Sequence, residues 1–387
     1  MSPAQRRMVM AVMFCHFIAA FAALGMPPFF ALILSESLHS SDTYLAGWLY
    51  VVPTIFTALS SPWWGIWADR IGKKISLLRA QLGLSVSFLL AGYSDSTGLF
   101  FLALALQGML GGTFAASNAY LATMASGPAL ARGLTLMQGS ARAALVAAPA
   151  VLGWFAASVP PIELYRYLAL LPLAAAVLLW VLPEPAPGPS VDERSQNTDA
   201  RPLRLSANHI YALQFAFVFA TVATFPYFVP YAQGLESVSV GLAGLLFGVP
   251  NLLYLATAGV LSSRFGQRLS LAWVFLLMAA ALFGQAQTQS LTGLILWRVL
   301  MGLAMTGGFI GLHALIAALV REGHAGRTFG WLESGSKWGA VAAGLTAGVM
   351  VDRFGLKTPF LLGAGIMAAA AGWLAVSGFC RRRLENI

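Results

Sequence analysis

Runs of about 20 apolar residues, the length a helix needs to cross a bilayer, recur twelve times along this chain. Between turn residues and charges they occupy 8–34, 44–68, 75–94, 97–119, 133–157, 164–182, 208–232, 239–262, 269–287, 290–314, 328–351 and 357–380. Lipid offers no partner to backbone N–H and C=O groups, so a segment inside it must be a helix or part of a closed barrel. These runs are too long, and alternate too little, for barrel strands. Helices remain. Composition agrees: apolar residues are 58% of the chain and charged residues 10%, against about 25% charged in a soluble domain. So much apolar surface must face lipid. Arg6-Arg7 ahead of a long apolar run reads as a retained first span rather than a cleaved signal. Cys15 and Cys380 lie in opposite terminal runs, and neither a disulfide nor a metal site is expected from them.

One stretch stands apart. Residues 183–207, rich in Pro, Asp, Glu and Arg, read as a flexible cytoplasmic linker. It divides the chain into a six-helix half over 1–182 and a second over 208–387. Twelve spans put both termini and the linker on one side of the membrane. Of the 23 Lys and Arg, 17 fall on that side and 3 on the other, which by the positive-inside rule places it in the cytoplasm of a bacterial inner membrane. Topology therefore accounts for the net charge of +9, and nucleic acid is not an expected partner. The halves also repeat. Gly65, Arg70, Gly72, Lys74 and Gly108 fall on Gly259, Arg264, Gly266, Arg268 and Gly302 at one offset, and one residue more puts Gln138 on Glu333 and Arg142 on Lys337. Two equivalent bundles around a midplane site is a transporter plan.

The loop after the second span runs from Gly65 through Asp69, Arg70, Gly72 and Lys73 to Lys74. It resembles the G-x-x-x-D-R-x-G-R-R loop of the major facilitator superfamily, with the degenerate copy at Gly259–Arg268 where that family has its second. The physics is sensible: Gly65 permits close helix approach, Gly72 a tight turn, and Asp69 can cap or pair at a neighbouring helix end as a gate. Further stretches resemble drug–proton antiporters of this superfamily. Leu102–Gly112 matches their fourth-helix motif at Gln107-Gly108, with Leu104 at the usual Arg position and Arg298 at the equivalent place in the second half. Ala144–Gly153 matches the fifth-helix motif with two glycines replaced by Ala144 and Ala148. Ser61–Gly65, Leu77–Arg79 and Asn118–Thr123 look most like multidrug and siderophore exporters. The resemblance implies an all-α integral membrane fold, twelve transmembrane helices in two pseudo-symmetric six-helix bundles, and a central cavity lined by the fifth and eleventh helices.

Charges inside the spans are the candidate site. A charge at the bilayer centre costs about 2.5–3.5 kcal/mol even on the lenient scale, so it faces a cavity or a partner. Arg142 and Lys337 each lie about nine residues into a span, near mid-depth at about 1.5 Å per residue. Arg298 reaches a similar depth from the other face. Glu333 precedes Lys337 by one turn, the favourable order for an i,i+4 pair, and His16 lies mid-depth on the first helix. Three cations against one carboxylate favour an anionic substrate, bound by Arg142, Lys337 and Arg298, since Arg suits carboxylates through its planar fork. The structural alternative has Glu333 neutralise Lys337 while Arg298 bonds backbone carbonyls. Glu333 and His16 are the proton-coupling candidates; imidazole in water titrates near neutrality, although a hydrogen-bonded packing histidine fits His16 equally. Asn118, Tyr120, Tyr227, Asn251 and Tyr254 are polar or aromatic residues at cavity depth, and such aromatics pack more often than they bind. Tyr227 stands beside Pro226, with Pro27-Pro28 at the matching place in the first helix, where prolines bend helices around a gate.

The expected function is proton-coupled export of a small anionic molecule, a carboxylate-type siderophore or drug, by a monomer whose partners are substrate, protons and the bilayer. Uptake of an organic anion by symport is the alternative on the same fold. A membrane enzyme or sensor is disfavoured: the chain has no nucleophile–base pair, metal cluster or phosphate loop, and no catalytic residue, metal or cofactor is expected.

Overall fold

A computed structural model describes residues 3–40, 45–156, 158–182, 205–235, 238–265, 269–321 and 323–384. Residues 183–204 of the expected linker, and Gly266 and Arg268 of the second loop copy, lie outside the described residues. The rest is helical. In chain order the main helices are α1 (Pro3–Gly25), α2 (Leu45–Ile71), α3 (Lys73–Gly92), α4 (Thr97–Leu110), α5 (Thr113–Leu121), α6 (Gly127–Ala156), α7 (Pro161–Leu168), α8 (Leu170–Val181), α9 (Ala207–Val222), α10 (Phe228–Gln233), α11 (Val240–Arg264), α12 (Leu271–Gln287), α13 (Leu291–Leu319), α14 (Ala325–Phe354) and α15 (Thr358–Leu384). Each of the twelve expected spans falls on one of these helices or on a consecutive pair.

Among the described residues, eight helical segments are long and apolar enough to cross a membrane on length and composition alone, and α9 and α12 are shorter apolar helices. α2 and α14 are long enough at 27 and 30 residues, about 40 and 45 Å at 1.5 Å per residue. Their shortfall is in composition. α14 carries Glu333 and Lys337 in its interior, and α2 is diluted by Pro53, Ser60, Ser61 and Pro62.

Four spans read as continuous are interrupted. The fourth breaks at Gly111-Gly112, where Gly112 adopts φ +74°, a left-handed conformation that glycine takes without penalty. The break leaves carbonyls at the end of α4 without helical partners. Two side chains take them: the Trp64 indole donates to the Met109 carbonyl at 2.6 Å, and Arg79 Nη1 donates to the Leu110 carbonyl at 2.6 Å. The Arg79 guanidinium also lies 3.6 Å above the Trp64 ring centroid. The sixth span is divided at Ala169, whose carbonyl accepts from Ser85 at 2.8 Å. The seventh is divided between α9 and α10 around Pro226, and α1 gives way to a tighter turn at Pro27–Phe29, as expected of a ring that lacks an N–H and fixes φ.

The chain forms two compact units. One comprises residues 1–206 with 317–337, and the other 207–316 with 338–387. The first is cored by Phe30, Leu84, Phe88, Phe100 and Leu104, with Tyr165 edge-on to both Phe88 and Phe100 at 5.3 and 5.6 Å. The second is held by Phe217, which stacks on Phe275 at 5.7 Å and meets Phe309 edge-on at 4.9 Å. Each unit has a proline–glycine crossing. In the first, Gly108 of α4 packs so close to α2 that a Cβ there would lie 2.9 Å from Pro53 Cα. In the second, one at Gly302 of α13 would lie 3.0 Å from Pro250 Cα of α11.

Candidate functional site

Within the first unit the loop from Gly65 to Lys74 is built around one carboxylate. Asp69 accepts from the backbone N–H of Gly326 on Oδ1 and of Arg327 on Oδ2, both at 2.8 Å. These are orphan donors of the first turn of α14, so the carboxylate both satisfies them and meets the positive end of the helix dipole. Lys73, one turn on, is ion-paired with Asp69 and donates to the Ala68 carbonyl at 3.3 Å. Gly72 caps α3 at φ +100°, strained for any other residue. Lys74 caps the last turn of α8 by donating to the carbonyls of Trp180 and Leu182. Arg70 is exposed. Gly65 allows α2 to reach α14 glycine to glycine: a Cβ on Gly330 would fall 2.5 Å from the Ser61 carbonyl oxygen and 3.1 Å from Gly65 Cα. Ser334 closes the same contact by donating to the Ala58 carbonyl at 2.7 Å.

One to two turns further along α14 stand Glu333 and Lys337. Lys337 Nζ lies 3.4 Å from Glu333 Oε1; the glutamate side chain is 6% exposed and the lysine side chain 35%. Lys337 is near enough to His16 of α1 and Tyr50 of α2 to act on both electrostatically. Tyr50 carries no motif and has no sequence signal. His16 is buried against Phe114, with ring centroids 5.4 Å apart, and neither ring nitrogen has a hydrogen-bond partner among the described residues. Asn118 and Ser117 of α5 are buried, and Asn118 Oδ1 and Ser117 Oγ also lack a partner among the described residues. Tyr120 is fully buried and its hydroxyl donates to Met8 Sδ at 3.6 Å. Arg142 of α6 is 9% exposed. With the Gln138 amide turned so that its oxygen faces Arg142, Nε and Nη2 lie 3.2 and 3.3 Å from it. Gln138 is the repeat counterpart of Glu333, so the two halves use an amide and a carboxylate in the same place.

In the second unit Arg298 of α13 is 3% exposed. Its Nε donates to the Leu246 carbonyl at 3.0 Å and Nη2 to the Phe247 carbonyl at 2.6 Å. Nη1 lies 3.5 Å from Gln285 Oε1 and 3.4 Å from Met301 Sδ. Tyr254 is fully buried and packs edge-on against Phe309 at 5.6 Å. Asn251 is buried beside Pro250, and Tyr227 is half-buried, its hydroxyl 3.4 Å from where a Cβ on Gly348 would stand.

α1 packs on α6 through a glycine on α1. A Cβ on Gly25 would fall 2.8 Å from the Ala148 Cβ and 2.5 Å from Leu152 Cδ1. The close approach survives the two alanines of the fifth-helix motif because the glycine stands on the facing helix.

A model of the Major Facilitator Superfamily matches residues 12–257 and 209–384. The multidrug resistance protein MdtG of Rahnella sp. (strain Y9602) is 28% identical over 397 residues, spanning 98% of this chain and 94% of that protein. MdtG of Escherichia coli O6:K15:H31 is 27% identical over 402 residues, spanning 99% and 97%. The solved structure of the human organic anion transporter MFSD10 superposes with a TM-score of 0.82 at 18% identity, covering 96% of this chain and all of that one. At that identity the likeness is one of fold.

Proposed function

Because the chain belongs to the major facilitator superfamily, a family of multi-pass membrane transporters rather than enzymes, we propose that it exports a small anionic molecule in exchange for protons. Carboxylate-type siderophores or drugs are the substrate class. Both termini and the linker stand in the cytoplasm, as the Lys and Arg distribution requires, and the monomer suffices.

One observation carries the anionic reading. Lys337 lies in the interior of a transmembrane helix, keeps about a third of its side chain open, and has the Glu333 carboxylate at 3.4 Å. An ammonium open to hydrocarbon at that depth is costly, so the open side faces water or a solute. Arg142 adds a second buried cation in the same unit, neighboured by the uncharged Gln138. Asn118 contributes an amide oxygen that has no partner among the described residues for a substrate hydroxyl.

The coupling step follows from the same geometry. While Lys337 neighbours Glu333, the glutamate has a counter-charge. A substrate carboxylate that takes Lys337 removes it, and a proton on Glu333 replaces it. Anion and proton are then bound together and leave together, which is the coupling of the symport reading; exchange requires that they occupy the site in turn. His16, buried nearby with neither nitrogen bonded among the described residues, is the second proton carrier.

The outward direction is supported by the two relatives, both multidrug resistance proteins by name, and by the crossing of Gly25 on Ala148. The alanines at 144 and 148 favour the second reading, uptake of an organic anion by symport. Everted vesicles energised by a pH gradient, offered a panel of carboxylate chelators and one lipophilic cation, test both. Chelator accumulation that is lost in Arg142→Gln and Lys337→Gln supports the proposal. Transport of the cation alone, or wild-type chelator transport in both variants at normal membrane levels, removes it.

A further inference from the structure

Among the described residues, Arg298 is a membrane-buried cation without a carboxylate contact. Its surroundings point to one cause. Pro250 stands inside α11. A proline in a helix has no N–H for the carbonyl four residues earlier, and its ring pushes that turn open. The carbonyl four residues before Pro250 is that of Leu246, and Arg298 Nε donates to it at 3.0 Å. The next carbonyl, that of Phe247, takes Nη2 at 2.6 Å. Two adjacent carbonyls at an opened turn present a pair of acceptors that one edge of a guanidinium matches, and a lysine has a single nitrogen to offer. The cation is further enclosed by Phe228, whose ring centroid lies 4.1 Å from Cζ, and by Gln285. Gln285 is itself held by the Ala281 carbonyl at 3.1 Å. One turn along α13, Gly302 lets the two helices cross at Pro250 itself. The Arg298-x-x-x-Gly302 spacing is thus a device in two parts: the glycine admits the bend and the arginine pins it.

We propose that Arg298 is a positioning residue that completes the hydrogen bonding of the Pro250 bend in α11 and thereby aims Asn251 and Tyr254, the next turn of that helix. The first unit keeps the crossing of Pro53 on Gly108 but carries Leu104 in place of the arginine. There, Thr57 donates to the carbonyls of Pro53 and Gly108 at 2.8 and 3.1 Å. The carbonyl freed by the proline in the second unit therefore has a charged pin, whereas the hydroxyl in the first bonds carbonyls at the crossing itself. This assignment is independent of the anion reading of Arg142 and Lys337.

The test is a double-mutant cycle in the full chain in lipid nanodiscs. Pro250→Ala returns an N–H for the Leu246 carbonyl, so it should remove the need for Arg298. Arg298→Met alone is expected to lower the melting temperature by several degrees, whereas Pro250→Ala/Arg298→Met melts close to Pro250→Ala alone. An Arg298→Met protein as stable as wild type overturns the proposal, and so does an equal penalty in both backgrounds. If Arg298→Met cannot be isolated, recovery of the double variant at normal yield supports the proposal and its equal absence refutes it. The positioning half is read by a single cysteine at position 251, with Cys15 and Cys380 replaced by Ala. Its rate of labelling by a water-soluble maleimide should change at least about threefold when Arg298→Met is added, and an unchanged rate overturns it.

Discussion

Replacing Asp69 by Asn should release the start of α14, and the size of the effect follows from its partners. The carboxylate accepts two backbone N–H bonds of 2.8 Å, from Gly326 and Arg327. Asn keeps one acceptor oxygen and turns an NH₂ group toward the other N–H, so one bond is lost. A hydrogen bond to a charged group contributes about 1.5–3 kcal/mol, and the negative charge at the helix start another 0.3–1 kcal/mol or so. The side chain is 13% exposed, so screening discounts this only slightly. Loss of about 2–4 kcal/mol converts to roughly 30- to 900-fold in the opening equilibrium at about 1.36 kcal/mol per decade. The assay is amide hydrogen exchange on a peptide covering 322–332. Its slowest amides should exchange faster by at least about 30-fold in the variant, with peptides from α12 unchanged. Equal rates in that peptide would mean that the two bonds add nothing to the closure of α2 on α14.

Glu333→Gln should abolish transport driven by a pH gradient and spare substrate exchange at equal pH on both sides; loss of both, or of neither, removes the coupling role. Gly330→Ala places a methyl group 2.5 Å from the Ser61 carbonyl oxygen, and overpacking of this kind costs about 1–3 kcal/mol, read as a lower melting temperature. Ser334→Ala, which removes one 2.7 Å bond to the Ala58 carbonyl without a clash, should cost about 1 kcal/mol; a larger loss than for Gly330→Ala would invert the assigned order of the two contacts.

The helices were legible in the sequence because lipid leaves the chain one solution to its backbone hydrogen bonds, and a run of 20 apolar residues needs no neighbour to declare itself. The breaks were not. Gly111-Gly112 reads like any small pair at a helix crossing. What makes it a break is that Trp64 and Arg79, from two other helices, stand ready to take the carbonyls it exposes. Trp64 and Arg79 carried a resemblance in the sequence and no role. The same holds for buried charge. Sequence pattern ranks Arg142, Arg298 and Lys337 alike, since each is a cation at membrane depth, but cost depends on what each nitrogen meets. Each nitrogen of Arg298 has a protein partner at 3.5 Å or less, so it has least to offer a solute. Arg142 meets a neutral amide, and Lys337 keeps its open side. Position along a helix can say that an ion needs a partner. Whether that partner is the protein or its substrate is decided by helices distant in sequence: at Arg298 the turn that Pro250 opens in α11 supplies the acceptors, and at Lys337 the glutamate one turn before it takes one side and leaves the other open.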